Sequence, residues 1–212
     1  MFLKSYHALS RNKKKAWLLA RRLVPHSKRF YYEGCMNIPG QLWYEERKTL
    51  YESIREFSPD VVFEVGTWIG GGSTFFIAQA LFDNGSGTLF TIEKDSSTYQ
   101  SAINNYNHFL GHLVPYVNFF LGESTEVYRD ILKKIGRVDA LFLDGASDPR
   151  QTVREFKMFE PYLGYRSVLM VHDWEDEKMR LLRPIIEEST NWILEKKLVP
   201  PKSVGFAVFL HK

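Results

Sequence analysis

The sequence predicts an α/β fold in which a mostly parallel sheet of seven strands carries helices on both faces and ends in a reversed strand. Three observations lead to this prediction. From Val61 onward, apolar runs rich in β-branched residues alternate with helical patterns, as parallel strands and their crossover helices do. The first run opens directly into a glycine-rich turn. The last two runs are separated only by residues 199–203, which is too short for a parallel crossover, so the final strand must run antiparallel.

The strands are predicted from short apolar runs that turn residues separate from the helical patterns. Asn84-Gly85-Ser86-Gly87, for example, is a clear turn before the second strand. Runs of this length and composition are typical of buried strands. The expected strands are about Val61 to Val65, Thr88 to Glu93, Tyr116 to Leu121, Val138 to Asp144, Ser167 to His172, Trp192 to Leu198 and Val204 to Leu210.

The helices between these strands are predicted from helical periodicity and from capping signals. Asp148 is suited to be an N-cap, Pro149 to be the first helical residue and Gln151 to complete a capping box. Pro184 should bend or interrupt the helix in which it lies. The expected helices are about Ser73 to Phe82, Ser96 to Leu110 with Asp95 or Ser96 as the cap, Ser124 to Lys134, Pro149 to Pro161 and Glu175 to Glu188.

Length and composition indicate one α/β domain with an appendage. The chain has 212 residues, of which 44% are hydrophobic and 25% are charged, as in an ordinary globular protein. Its apolar runs are too short to span a membrane. With Cys35 as its one cysteine, the chain can form no internal disulfide and no cysteine-based zinc site, which favours a cytoplasmic setting. We expect a helical cap over residues 1–50 and a larger domain over residues 51–212.

The first part of the chain is strongly basic. The net charge of +3 is the balance of +9 in residues 1–32, which contain no acid, and −6 in the remainder. Apolar residues recur at helical spacing over residues 16–24, which predicts a basic amphipathic helix. Such a helix usually packs on its own domain, but contact with anionic lipid or with a phosphorylated substrate stays open. Binding to RNA also stays open, in which case Phe30, Tyr31 and Trp43 would stack on bases.

The turn after the first expected strand predicts a binding loop for a small molecule. The chain reads Val-Val-Phe-Glu-Val-Gly-Thr-Trp-Ile-Gly-Gly-Gly-Ser over residues 61–73. Glycines are needed where a backbone turns tightly and a ligand approaches it closely. A dinucleotide fingerprint requires its second glycine where Trp68 stands, so NAD is disfavoured.

This Glu-x-Gly pattern, with glycines about four residues further on, resembles the first motif of the class I S-adenosylmethionine (SAM) methyltransferases. The resemblance extends over about residues 55–212. It implies a Rossmann-like methyltransferase sandwich with SAM as the cofactor. It also implies that the acid and the loop face the methionine end and the ribose of SAM. In this chain those positions are Glu64, Gly66, Thr67, Trp68 and Gly70.

Two further strand ends are expected to complete the cofactor site, because ligands of open parallel sheets bind beyond the carboxyl ends of the strands. Glu93 ends the second strand, where a carboxylate can accept hydrogen bonds from both ribose hydroxyls, and Lys94 follows it. The third strand leads into Gly122-Glu123-Ser124-Thr125, and the resemblance places this turn, with Glu123 and Ser124, at the adenine ring. Ser124 is equally suited to be only the N-cap of the next helix.

The ends of the fourth and fifth strands carry candidate catalytic residues. Asp144-Gly145 and His172-Asp173-Trp174 resemble the branch that contains catechol and caffeoyl-coenzyme A O-methyltransferases. In that branch, an Asp after the fourth strand and an Asp-Asn pair after the fifth hold a magnesium ion. Asp144 and Asp173 match the two aspartates and are therefore the expected Mg²⁺ ligands, while Trp174 stands where the asparagine should be.

The general base must differ from that of this branch, because Ser147 occupies the position of its lysine. His172 is the best candidate, since its ordinary pKa lies near neutrality and Asp173 could orient its ring. Asp144, His172 and Asp173 would then face the acceptor.

The sequence thus predicts SAM-dependent methyl transfer to a small-molecule acceptor, at an oxygen atom. One alternative is an RNA methyltransferase that uses the basic arm, although the chain has no Asn-Pro-Pro-Tyr-type motif. The other is a non-catalytic or membrane-surface binding module that retains the fold. Self-association of the chain stays open.

Overall fold

The structure is a computed structural model, and it describes residues 31, 34–35, 37–145 and 147–212. The amphipathic helix expected over residues 16–24 and the aromatic Phe30 lie outside the described residues. No helix within the described ranges is long and apolar enough to cross a membrane.

The sheet confirms the predicted topology. Its seven strands lie in the order β3-β2-β1-β4-β5-β7-β6. Strands β1 to β5 pair in parallel, and β7 runs antiparallel to both β5 and β6. The strands are β1 Val61–Val65, β2 Thr88–Glu93, β3 Val117–Leu121, β4 Val138–Leu143, β5 Leu163–His172, β6 Trp192–Leu198 and β7 Phe206–His211.

The helices begin and end where local chemistry requires it. Asp95 accepts a hydrogen bond from the Thr98 N–H at 2.8 Å and so caps α3, while α2 and α4 end at glycines in the left-handed conformation. The helices whose bounds are described are α1 Tyr44–Phe57, α2 Ser73–Asn84, α3 Ser96–Phe109, α4 Ser124–Ile135, α5 Pro149–Phe159 and α6 Leu182–Glu187.

Two predictions about helices are wrong in detail. The helix expected from Glu175 to Glu188 is a short 3₁₀ helix, Glu177–Met179, followed by α6. Pro184 lies in the first turn of α6, where no N–H is needed, so the break comes before the proline. Asp148 does cap α5, through the Arg150 N–H at 3.0 Å, but Gln151 bonds to Glu155 and Arg154 and forms no capping box.

The core lies in two layers, one on each face of the sheet. Helices α1, α2 and α3 cover one face and α4, α5 and α6 cover the other. On the second face, the ring of Phe63 stacks on Phe90 at 4.9 Å and meets Tyr128 edge-on at 5.0 Å. Each fully buried aromatic side chain of this kind contributes on the order of 2 kcal/mol to stability. The packing fixes the strands and therefore the position of their ends.

The register brings the strand ends to one edge of the sheet. Val65 pairs with Ile92 and with Leu143, and Leu143 pairs with Val171. At the reversed strand, His172 at the end of β5 lies opposite Phe206 at the start of β7. The segment that leads into β7 therefore reaches the same edge as the ends of the parallel strands. Helix α1 approaches this edge as well and runs across position 50, the expected domain boundary.

Candidate active site

The loop after β1 requires its glycines. Gly66 and Gly70 adopt positive φ angles of 105° and 83°. A Cβ on Gly66 would lie 3.0 Å from the carbonyl oxygen of Asp144, and one on Gly70 would lie 2.8 Å from the ring of Tyr106. Trp68 also has a positive φ, 49°, which is unusual for a residue with a bulky side chain and is typical of functional loops.

A crevice opens at the carboxyl ends of β1, β2 and β3 and encloses about 410 Å³, including solvent at its mouth. Five of the residues predicted to bind the cofactor lie together in its wall: Gly66, Glu93, Lys94, Glu123 and Ser124. The remaining lining residues are Val65, Ile92, Gly122, Gly145, Gln151 and Glu155. Thr67, Trp68 and Gly70 form the adjacent loop, and Asp144 immediately precedes Gly145.

Glu93 anchors the loop to the second strand. One carboxylate oxygen accepts a hydrogen bond from the Trp68 N–H at 3.0 Å, and the other accepts one from the Asp95 N–H at 3.0 Å. Each carboxylate oxygen has two acceptor positions, so Glu93 retains one on each oxygen for a ligand. The residue thus has free acceptor capacity on the crevice wall.

Glu64 lies beneath the loop and not in the wall of the crevice. Its side chain is fully buried, and its Oε2 accepts hydrogen bonds from the hydroxyls of Thr74 at 2.7 Å and Thr91 at 2.6 Å. Its Oε1 has no hydrogen-bond partner among the described residues. Burial raises the pKa of Glu64 to about 7, although neighbouring hydroxyl groups, including that of Ser73, lower it in part. Glu64 is therefore partly protonated near neutral pH.

Ser124 takes part in a buried contact that the sequence does not indicate. It is the first residue of α4 and not its N-cap, so the capping alternative is wrong. Its hydroxyl donates to Glu155 Oε1 at 2.7 Å. Burial raises the pKa of Glu155, against the opposing effect of the Ser124 and Gln151 hydrogen bonds. The only signal for Glu155 in the sequence is a carboxylate on the apolar face of α5.

The ends of β4 and β5 bring the three predicted catalytic residues together, as expected. His172 Nδ1 lies 3.1 Å from Asp144 Oδ1 and 3.3 Å from Asp173 Oδ1. A fourth residue, Lys178, joins them: its Nζ lies 2.9 Å from Asp144 Oδ1 and 2.7 Å from Asp173 Oδ2. Asp173, like Trp68, has a positive φ, here 55°.

Glu46 closes this cluster from the opposite side. It extends from α1, is fully buried, and its Oε2 lies 3.2 Å from His172 Nε2. Its Oε1 accepts hydrogen bonds from the Ser203 hydroxyl at 2.6 Å and the Val204 N–H at 3.1 Å, just before β7. Its Oε2 also accepts from the Trp43 N–H at 2.7 Å. Glu46 therefore joins α1 to the fifth and seventh strands.

His172 is an imidazolium in this arrangement. Burial lowers its pKa, but hydrogen bonds to Asp144, Asp173 and Glu46 outweigh burial and raise the pKa to about 12. Burial alone would raise the pKa of Asp173, but its contacts with His172 and Lys178 hold it at about 2. Both ring nitrogens therefore carry hydrogens that carboxylates already accept. The expected role of His172 as general base disagrees with this geometry, because the ring has no free lone pair.

The cluster at the ends of β4 and β5 offers few of the ligands that a magnesium ion prefers. One ligand atom each from Asp144, His172 and Asp173 lies within 4.8 Å of the others, close enough for a cation. Mg²⁺ prefers several oxygen ligands, however, and this set provides two carboxylates and a protonated imidazole. Trp174 is fully buried and offers no oxygen, and Lys178 already contacts both aspartates. The described residues do not fit Mg²⁺.

The fold is shared with solved methyltransferase structures. A Staphylococcus aureus protein with the provisional name caffeoyl-CoA O-methyltransferase is 17% identical, with a TM-score of 0.69 over 96% of this chain and 100% of its own. The O-methyltransferase TomG from Streptomyces achromogenes, solved with SAM, is 17% identical, with a TM-score of 0.65 over 96% and 100%. A Bacillus cereus O-methyltransferase, solved with SAH, is 16% identical, with a TM-score of 0.64 over 97% and 93%.

The sequence itself also matches a protein family. Residues 63–174, more than half of the chain, match the family described as "Methyltransferase domain". The matched segment begins in β1, contains the glycine-rich loop, and ends two residues after His172, so it includes both the crevice and the strand ends of the cluster. This confirms the enzyme class predicted from the glycine-rich loop. The chain belongs to the methyltransferase domain family.

Proposed function

We propose that the chain transfers a methyl group from SAM to an oxygen atom of a small-molecule acceptor. The observation that carries this proposal is the crevice at the carboxyl ends of β1 to β3, where Gly66, Glu93, Glu123 and Ser124 lie in one wall. The solved relatives from Streptomyces achromogenes and Bacillus cereus, which contain SAM and SAH, support the same ligand class.

The residues of the crevice fit SAM. Glu93 has acceptor capacity for the ribose hydroxyls, and Ser124 and Glu123 border the position proposed for adenine. A Cβ on Gly145 would lie 2.5 Å from Val65 Cγ1, so a side chain there would disturb the floor of the crevice. Glu64 acts from beneath the loop, where its carboxylate, when deprotonated, attracts the positively charged groups of the donor.

The chain's own residues position the reaction. When bound, SAM supplies a methyl group on a positively charged sulfur. Glu93 and the loop after β1 orient this group. Holding the methyl group and the acceptor in line lowers the reaction barrier by several kcal/mol. Asp144, partly exposed and without a described partner on its Oδ2, replaces His172 as the proposed base. It takes the proton of the acceptor hydroxyl while the oxygen bonds to the methyl carbon, and the electrons of the broken C–S bond remain on sulfur.

Calorimetry of the purified full chain with SAH tests this proposal. We expect wild type to bind SAH, and Glu93→Ala to bind it about tenfold more weakly or worse, because two hydrogen bonds to the ribose are lost. Asp130→Ala, which removes an exposed carboxylate on α4, is the matched control and should bind as wild type does. If wild type did not bind SAH, the proposed function would be wrong.

The remaining predictions stay open. Use of the basic arm on RNA and contact of that arm with membranes depend on residues 1–32, nearly all of which lie outside the described residues. The non-catalytic alternative predicts that SAH does not bind, so the same calorimetry tests it. Self-association, the cytoplasmic setting and the division at residue 50 are likewise still predictions.

A further inference from the structure

Lys178 occupies the space between the two aspartates at the ends of β4 and β5. Its Nζ lies 2.9 Å from Asp144 Oδ1 and 2.7 Å from Asp173 Oδ2. Only 12% of its side chain is exposed, against 24% for Asp144 and 26% for Asp173. The ammonium group is therefore largely enclosed, and the carboxylates are its partners.

Asp144 and Asp173 are the residues that would hold a divalent cation if the cluster contained one, and Lys178 contacts both of them. Two carboxylates that share a site repel each other unless a positive group lies between them. Lys178 meets that requirement, and His172 Nδ1 also lies 3.1 Å from Asp144 Oδ1 and 3.3 Å from Asp173 Oδ1. The two aspartates thus have their charge balanced by the protein alone.

Trp174 stands where the related magnesium sites have an asparagine, and it gives a metal ion no side-chain oxygen. Trp174 follows Asp173, and its indole is fully buried with its ring centroid 5.0 Å from that of Phe209. A hard cation that displaced Lys178 would leave a largely buried ammonium group without partners, which is costly. The geometry favours the lysine over the ion.

We propose that Lys178 takes the place of a metal ion at this strand end, so that the chain requires no divalent cation and an acceptor oxygen binds to the ammonium group. Two of the three ammonium hydrogens point to the aspartates, and the third has no partner among the described residues. The binding of an acceptor rests on the proposed function, whereas the absence of a metal requirement does not.

The replacement has a consequence for the class of acceptor. A divalent ion with several open positions can chelate two neighbouring oxygens, as in a vicinal diol. A single free N–H binds only one oxygen. The site should therefore accept molecules with an isolated hydroxyl group and gain nothing from a second hydroxyl beside it.

Titration with Mn²⁺ tests the proposal. In calorimetry, wild type should bind no Mn²⁺ at the cluster, and EDTA should leave its melting temperature unchanged. Lys178→Met keeps an apolar stem but removes the charge, so Asp144 and Asp173 should gain Mn²⁺ affinity by about tenfold or more. Asp144→Asn in that background should abolish the gain. Lys157→Ala removes an exposed lysine that pairs with Glu160 at 2.8 Å, and it should behave as wild type.

The outcomes separate this inference from the proposed function. If wild type bound one equivalent of Mn²⁺ and Asp144→Asn lost it, Lys178 would not replace a metal, whatever the result with SAH. If Lys178→Met did not fold, the wild-type titration would still show whether the cluster binds a metal ion. Lys178→Arg is a second variant for this case: it keeps the charge and should also bind no Mn²⁺. SAH binding is measured on the same samples, and its failure would contradict the proposed function alone.

Discussion

The burial of Glu64 lowers the stability of the folded protein at high pH. Its pKa is about 7 in the folded protein, against an ordinary value of 4.5. Between these values the folded state binds more protons than the unfolded state, so stability falls as the pH rises through this window and the loss is complete above about pH 7. The cost at high pH is at most about 3 kcal/mol, from the size of the pKa shift.

Glu64→Gln should remove this pH dependence. We expect the variant to gain up to about 3 kcal/mol relative to wild type when the pH is raised from 5 to 8, because the amide stays neutral. Urea unfolding of both proteins at the two pH values measures the difference. Parallel pH profiles for the two proteins would show that Glu64 does not titrate in this window.

The sequence predicts some site residues well and is silent about others for a physical reason. Asp144, His172 and Asp173 follow from the sequence because each stands at the carboxyl end of a recognisable parallel strand. Glu46 meets His172 across 126 positions of sequence, and the contact depends on how α1 packs against the sheet. No local pattern carries that information. Lys178 is missed because the pattern from Glu175 onward reads as one helix.

At the scale of elements, this misread segment determines the position of Lys178. The Asp176 side chain accepts a hydrogen bond from the Lys178 N–H at 3.1 Å and begins the 3₁₀ helix Glu177–Met179. The contacts of Lys178 with Asp144 and Asp173 are therefore made from a 3₁₀ helix and not from the continuous helix that the sequence predicts. The strands, in contrast, are predicted to within a few residues, because their short apolar runs are rich in β-branched residues and bounded by turn residues; β5 alone begins four residues earlier than expected, at Leu163.

Helix α1 is joined to the sheet through the carboxylate of Glu46. Glu46→Ala should destabilise the protein by about 3 kcal/mol or more, because it removes the carboxylate that pairs with the Nε2 atom of the buried His172 ring. Urea unfolding measures this loss. Glu56→Ala, on an exposed part of the same helix, is the control and should change stability by no more than about 0.5 kcal/mol. Equal stability of the two variants would show that the Glu46 contact does not stabilise α1 on the sheet.

At the scale of the whole molecule, the reversed last strand contributes to the site as well as closing the sheet. Because β7 starts opposite the end of β5, Ser203 and Val204 can hold Glu46 beside His172. Gly205 is required in this approach, since a Cβ there would lie 2.5 Å from the Glu175 nitrogen. The topology, which the five-residue connection in the sequence predicts, thus places the cluster of Asp144, His172, Asp173 and Lys178 next to the crevice at the ends of β1 to β3.

We propose that the crevice at the carboxyl edge of the sheet holds the methyl donor next to this cluster. A crystal structure of the full chain with SAH decides whether this is so. We expect the ribose hydroxyls on the carboxylate of Glu93, adenine beside Ser124, and the sulfur directed toward Asp144 and Lys178. SAH bound elsewhere, or a crevice filled by the protein's own side chains at saturating SAH, would contradict it.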